Sequence, residues 1–131
     1  MAHPSKLKGN RFEREIVDKA KDRGLKDSKR AWGSNGMALG EHPEVDCLID
    51  GYKIQAKVRK TLPKYLIPSE EVDAVVFKQD RGEILMLIRY EDWLFEQVRA
   101  NDTQKILKNV TKNAEAYVLN SPDLEEDSND R

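Results

Sequence analysis

The alternation of apolar and polar positions divides the chain into short elements. Over residues 10–23, Phe12, Ile16, Val17 and Ala20 recur at helical spacing and share one arc of a helical wheel. Gly24 follows as the stop. Glu13 falls inside the apolar arc, whereas Arg14 and Glu15 point away from it. A carboxylate among core-facing residues is costly unless it is paired, protonated or bound to a cation, which marks Glu13 as a candidate functional residue. A short strand is expected over 28–32, then a glycine-rich loop from Gly33 to Gly40.

Residues 44–59 carry the strongest local signal. Asp50-Gly51 between alternating residues predicts a two-residue hairpin turn. That turn pairs Ile49 with Tyr52, Leu48 with Lys53 and Cys47 with Ile54, and by the same count Asp46 with Gln55 and Glu44 with Lys57. Side chains alternate faces along a strand, so Val45, Cys47, Ile49, Tyr52, Ile54, Ala56 and Val58 form a core surface. The other face gathers Glu44, Asp46, Leu48, Lys53, Gln55, Lys57 and Arg59. Apolar runs over 73–79 and 84–90, joined by Asp80-Arg81-Gly82-Glu83, read as central strands. Two helices, over 91–100 and 102–117, are expected to close the domain. Thr103 caps the second, whose Ile106, Leu107, Val110 and Ala114 share a face. The expected fold class is α/β, a mixed central β-sheet flanked by helices.

Composition adds limits. The chain has 131 residues, enough for one domain, placed at 1–120. Residues 121–131 hold five acids, one base and little apolar content, the composition of a disordered acidic tail. The longest apolar runs, such as Ile84 to Ile88, are far shorter than the roughly 20 residues a bilayer-spanning helix needs. With no secretory signal and one cysteine, a cytoplasmic chain without a membrane partner is expected. Cys47 reads as a small apolar filler and His42 as an ordinary loop residue. The net charge of −1 divides into +6 over residues 1–64 and −7 over 65–131. A basic N-terminal half permits a polyanionic partner, whose place on the basic surface the acidic tail can mimic.

Asp46, eight residues, then Gln55-Ala56-Lys57 resembles the motif of the PD-(D/E)XK nuclease superfamily, with Gln where that motif has Asp or Glu. Lys8-Gly9-Asn10-Arg11-Phe12-Glu13-Arg14-Glu15, opening the first helix, resembles the start of archaeal-type Holliday junction resolvases. Arg30-Ala31-Trp32-Gly33-Ser34-Asn35-Gly36 resembles their basic loop. The resemblance covers residues 5–93. It implies a restriction-endonuclease-like core and a Mg2+-dependent endodeoxyribonuclease, with Mn2+ as a substitute, that resolves four-way DNA junctions by paired nicks. It also implies a two-fold homodimer in a prokaryotic or phage-infected cell and no small-molecule cofactor. The segment 61–72 has room for little more than one turn where those resolvases carry a helix that helps to build their dimer.

Phosphodiester hydrolysis needs a water nucleophile, neutralised phosphate charge and help for the departing oxygen, and a hard cation held by carboxylates serves all three. Asp46 is the expected principal ligand, although Glu44 competes because Pro43-Glu44-Val45 has a similar pattern. Gln55 offers its carbonyl oxygen, and Glu13 completes the shell directly or through water. Lys57, as in the superfamily, orients the water or stabilises developing phosphate charge. The expected DNA contacts are Lys8, Asn10, Arg11, Arg14, Arg30, Ser34, Lys53, Arg59 and Lys60, with Lys6, Lys29 and Lys64 beside them. Two other readings stand: a nuclease of the same fold acting on flaps, nicks or linear DNA, and a non-catalytic DNA-binding module, toward which Gln55 points.

Overall fold

The computed structural model describes residues 3–31 and 36–120. Ser34 with the rest of 32–35, and the tail at 121–131, lie outside the described residues. The chain is mixed α/β, with two small antiparallel sheets and two helices. Helix α1 spans Pro4–Asp22, strands β1, β2 and β3 span Ser28–Arg30, Cys47–Ile49 and Tyr52–Ile54, β4 and β5 span Ala74–Lys78 and Ile84–Ile88, and α2 spans Tyr90–Asn120. Single 3-10 turns lie at Gly36–Leu39 and Lys64–Leu66.

Helix α1 starts two turns earlier than the apolar periodicity indicates. Pro4 occupies the first turn, where its missing N–H costs nothing, and His3 caps the helix by accepting the Ser5 N–H at Nδ1, 3.2 Å away. Gly9 and Asn10 therefore lie inside the helix and do not precede it. The C-terminal end follows expectation. Gly24 adopts φ +102°, Gly24 N–H bonds the Lys21 carbonyl, and Leu25 N–H reaches back to Ala20. Leu25 is buried beside that cap.

The hairpin forms in the expected register, Cys47 opposite Ile54, Leu48 opposite Lys53 and Ile49 opposite Tyr52. Asp50 and Gly51 both take positive φ, as a mirror-image two-residue turn requires. Strand β1 adds to the outer side of β2. The core lies between α1 and this sheet, where Ile16, Val17, Ala20, Cys47 and Ile49 are buried with Leu94 from the first turns of α2. Trp93 stands edge-on to Tyr52, ring centroids 5.3 Å apart.

Three expectations are corrected. The single mixed sheet is replaced by β1-β2-β3 and a separate β4–β5 hairpin, each antiparallel. Strands β4 and β5 pair only with each other, so Val76, Ile84 and Met86 are exposed and neither strand is central. An open apolar groove of about 620 Å³ runs among Phe12, Ile54, Phe77, Leu87 and Trp93. The two closing helices are one. No glycine or proline interrupts 83–121, and the Thr103 hydroxyl donates to the Arg99 carbonyl at 2.9 Å, a bond made within a continuing helix and not at a cap. The shared face of Ile106, Leu107, Val110 and Ala114 is exposed.

The chain divides into two units, Met1–Phe95 and Glu96–Arg131. The described part of the second is the remainder of α2. In the first unit, Lys19 and Arg23 of α1 hold Glu91 at 3.1 and 2.6 Å. The Lys19 hydrogen bond, with help from Arg23, lowers the Glu91 pKa. Among the described residues, no helix is long and apolar enough to cross a membrane.

Candidate functional site

The hairpin ladder stops at Ile54, and Asp46 is the residue that stops it. Its N–H donates to the Ile54 carbonyl at 2.9 Å and its own carbonyl accepts the Ala31 N–H at 2.8 Å. Its carboxylate Oδ2 then accepts the Ala56 N–H at 2.7 Å, taking the place of a strand partner. Gln55 to Arg59 consequently leave the strand ladder, although the expected alternation persists, with Ala56 and Val58 half-buried and Gln55, Lys57 and Arg59 exposed. The Asp46 carboxylate anchors the segment that carries Gln55 and Lys57.

That segment, the turn before β2 and the first half of α1 enclose a cavity of about 430 Å³. Glu13, Asp46, Gln55 and Lys57 all line it, joined by Asn10 and Arg59, as do Lys6, Gly9 and Glu44. Four residues separated by up to 44 positions in sequence thus meet at one concavity. Glu13 is buried at 3% exposure, its carboxylate Oε2 3.5 Å from Arg30 Nε. Glu44 and Asp46 share the wall, and their competition for a ligand role stands. An ideal Cβ built on Gly9 meets nothing within 4 Å.

The structure does not gather every expected DNA contact. Lys8, Arg11 and Arg14 are exposed on α1 outside the cavity, and so is Lys60 beyond it. Lys53 Nζ lies 3.2 Å from Glu41 Oε2, on an adjoining concavity of about 390 Å³ shared by His42, Glu44 and Gln55. The His42 ring accepts the Glu44 N–H at Nδ1, 3.1 Å away, which fixes the turn before β2. Arg30 points to Glu13. Lys6 comes to the site through the Pro4 start of α1, which capping sets and apolar periodicity does not mark. Once the Pro4 start is seen, Lys6, Asn10 and Glu13 fall on one helical face at positions i, i+4 and i+7.

Cys47 abuts the site from the core side. Burial, reinforced by Glu13 and Asp46, pushes its thiol up to about 12, and Sγ lies 3.9 Å from the Glu13 carbonyl. A protonated, fully buried thiol is a space-filling group, in keeping with its expected role. Tyr90 is likewise pushed up to about 12, by burial first, while its hydroxyl donates to the Ile16 carbonyl at 2.7 Å.

Among the described residues, no three His, Cys, Asp or Glu side chains stand close enough to hold a metal ion. The cavity instead offers the carboxylates of Glu13, Glu44 and Asp46 and the amide oxygens of Asn10 and Gln55, with Lys6, Lys57 and Arg59 around them. Hard oxygen donors of that kind suit Mg2+ or Mn2+ and do not suit a soft metal. No family model, curated protein or solved structure matches the chain.

Proposed function

We propose that the chain is a metal-dependent, structure-selective DNA endonuclease whose site is the 430 Å³ cavity, acting on four-way junctions by paired nicks. The observation that carries this reading is the convergence of Glu13, Asp46, Gln55 and Lys57, from three separate segments, on one concavity rimmed by Lys6 and Arg59. Asp46, Gln55 and Glu13 would hold Mg2+ or Mn2+. When bound, the cation lowers the pKa of a coordinated water and neutralises phosphate charge. Lys57 would orient the attacking water, whose oxygen bonds to phosphorus as the bond to the departing oxygen breaks, and the proton this water gives up balances the one the departing oxygen takes. Arg59 and Lys6 meet neighbouring phosphates, contacts that position a strand without reading sequence. A restriction-endonuclease-like core, two copies acting on symmetry-related strands, and the cytoplasm of a prokaryotic or phage-infected cell belong to the same proposal.

A second reading has its own support. Gln55 removes one negative ligand, and the carboxylates are not clustered for a metal. Both features fit a module that binds DNA without cutting it. Incubating the chain with labelled four-way junction, flap, nicked and linear duplex, in Mg2+ and in Mn2+, separates these. Paired nicks confined to the junction support the resolvase. Equal cutting of all substrates keeps the nuclease and removes junction selectivity. Binding without cutting in either metal favours the module.

A further inference from the structure

The sequence places Arg30 among the DNA contacts; the geometry points to another role. We propose that Arg30 is a positioning residue for Glu13, holding its carboxylate at the cavity wall from behind, and is not a phosphate contact. This rests on the cavity being the nuclease site.

Three observations carry it. Glu13 is buried, its side chain only 5% exposed, yet it lines the cavity. A buried carboxylate needs an opposite charge to offset its lost hydration. Arg30 supplies one, with Nε 3.5 Å from Oε2, long for a hydrogen bond but within ion-pair range. Second, Arg30 itself is withdrawn, its side chain 24% exposed, and it does not line the cavity. Third, the pair joins two elements that are set independently. Glu13 belongs to α1 and Arg30 ends β1, where pairing with Cys47 and the neighbouring Ala31 to Asp46 bond fix the strand against β2. The strand that presents Arg30 is therefore hydrogen-bonded to the residue proposed as principal ligand. One geometric unit holds Glu13 and Asp46 in relation to each other.

A cation behind Glu13 acts on kcat by holding the carboxylate in place, whereas a phosphate contact acts on DNA affinity. The test uses the full chain with Arg30→Gln, Arg30→Lys, Glu13→Gln and the Glu13→Gln/Arg30→Gln double variant. Thermal midpoints are measured in EDTA, junction affinity in EDTA, and cleavage in Mg2+. Arg30→Gln is expected to lower the midpoint by several degrees, and by less than half as much when Glu13 is already Gln, because the buried negative charge is then gone. Junction affinity should stay within twofold while kcat falls tenfold or more with KM little changed. Arg30→Lys should restore part of both losses, a point charge in place of the planar fork.

Additive midpoints in the Glu13 and Arg30 cycle, or a fivefold or larger loss of junction affinity in Arg30→Gln, would overturn the proposal. A wild-type chain that binds but never cuts removes the nuclease reading instead. The pairing of Arg30 with Glu13 is then decided by the midpoints and affinities alone.

Discussion

The Asp46 carboxylate and the Ala56 backbone amide meet at 2.7 Å, and that bond both ends the β2–β3 ladder and sets where Gln55 and Lys57 lie. A charge-assisted bond of this kind contributes about 2 kcal/mol. Asp46→Ala should therefore destabilise the fold by about that much and also abolish cleavage. Asp46→Asn retains an acceptor oxygen for Ala56 N–H but loses the charge. It should stay within roughly 1 kcal/mol of wild type in urea unfolding while losing cleavage by about a hundredfold or more.

Gly9 offers a test of the cavity that leaves its charged groups untouched. A Cβ at this position meets open space, and alanine in a helix interior is favoured over glycine by about 1 kcal/mol. Gly9→Ala should raise the thermal midpoint with DNA affinity preserved. Gly9→Phe should fold but block the cavity, and junction affinity measured by gel shift should fall by about tenfold.

Gln55→Glu restores the acidic ligand and should lower the Mg2+ concentration for half-maximal cleavage by about tenfold, because affinity for hard cations rises with ligand charge. An unchanged metal requirement would remove Gln55 from the ligand set.

The buried thiol gives the alkaline limb of stability a definite sign. Its pKa rises from 9.0 to about 12 on folding, so the folded state holds the proton more tightly than the unfolded chain. The stabilisation is full below pH 9 and is lost as pH rises toward 12. Tyr90, raised from 10.0 to about 12, adds the same trend over a narrower range. Urea midpoints should fall across pH 9–11, and Cys47→Ala should reduce the slope by up to about 1.4 kcal/mol per pH unit. A native thiol that reacts quickly with a disulfide reagent at pH 8 would contradict this.

Much of the local structure was legible because it depends on neighbours in sequence. Asp50-Gly51 determined the hairpin register through the φ values its turn demands, and Gly24 determined the end of α1. Glu13 stood out because a charge on an apolar stripe is expensive, and it is the buried carboxylate of the cavity. The start of α1 was hidden because Pro4 and His3 act through capping, which leaves no apolar period. The arrangement of β4 and β5 was hidden too: apolar content tells that a strand can be covered and not which strand covers it. The continuity of α2 is hard to see in sequence because Thr103 can cap a helix or bond the preceding turn, and here, with no glycine or proline nearby, it bonds the Arg99 carbonyl. The departure of Gln55 from the strand depends on a side chain replacing a backbone partner, a substitution that alternation does not encode.

The most direct measurement is the rate of junction cleavage in Mg2+ by wild type and by Asp46→Asn, with urea unfolding of both to show equal folding. The expected result is paired nicks by the wild type and cleavage slower by about a hundredfold or more in a variant that remains folded. Equal rates from the two proteins, or no cleavage by the wild type in Mg2+ or Mn2+, would contradict the assignment of this cavity as a nuclease site.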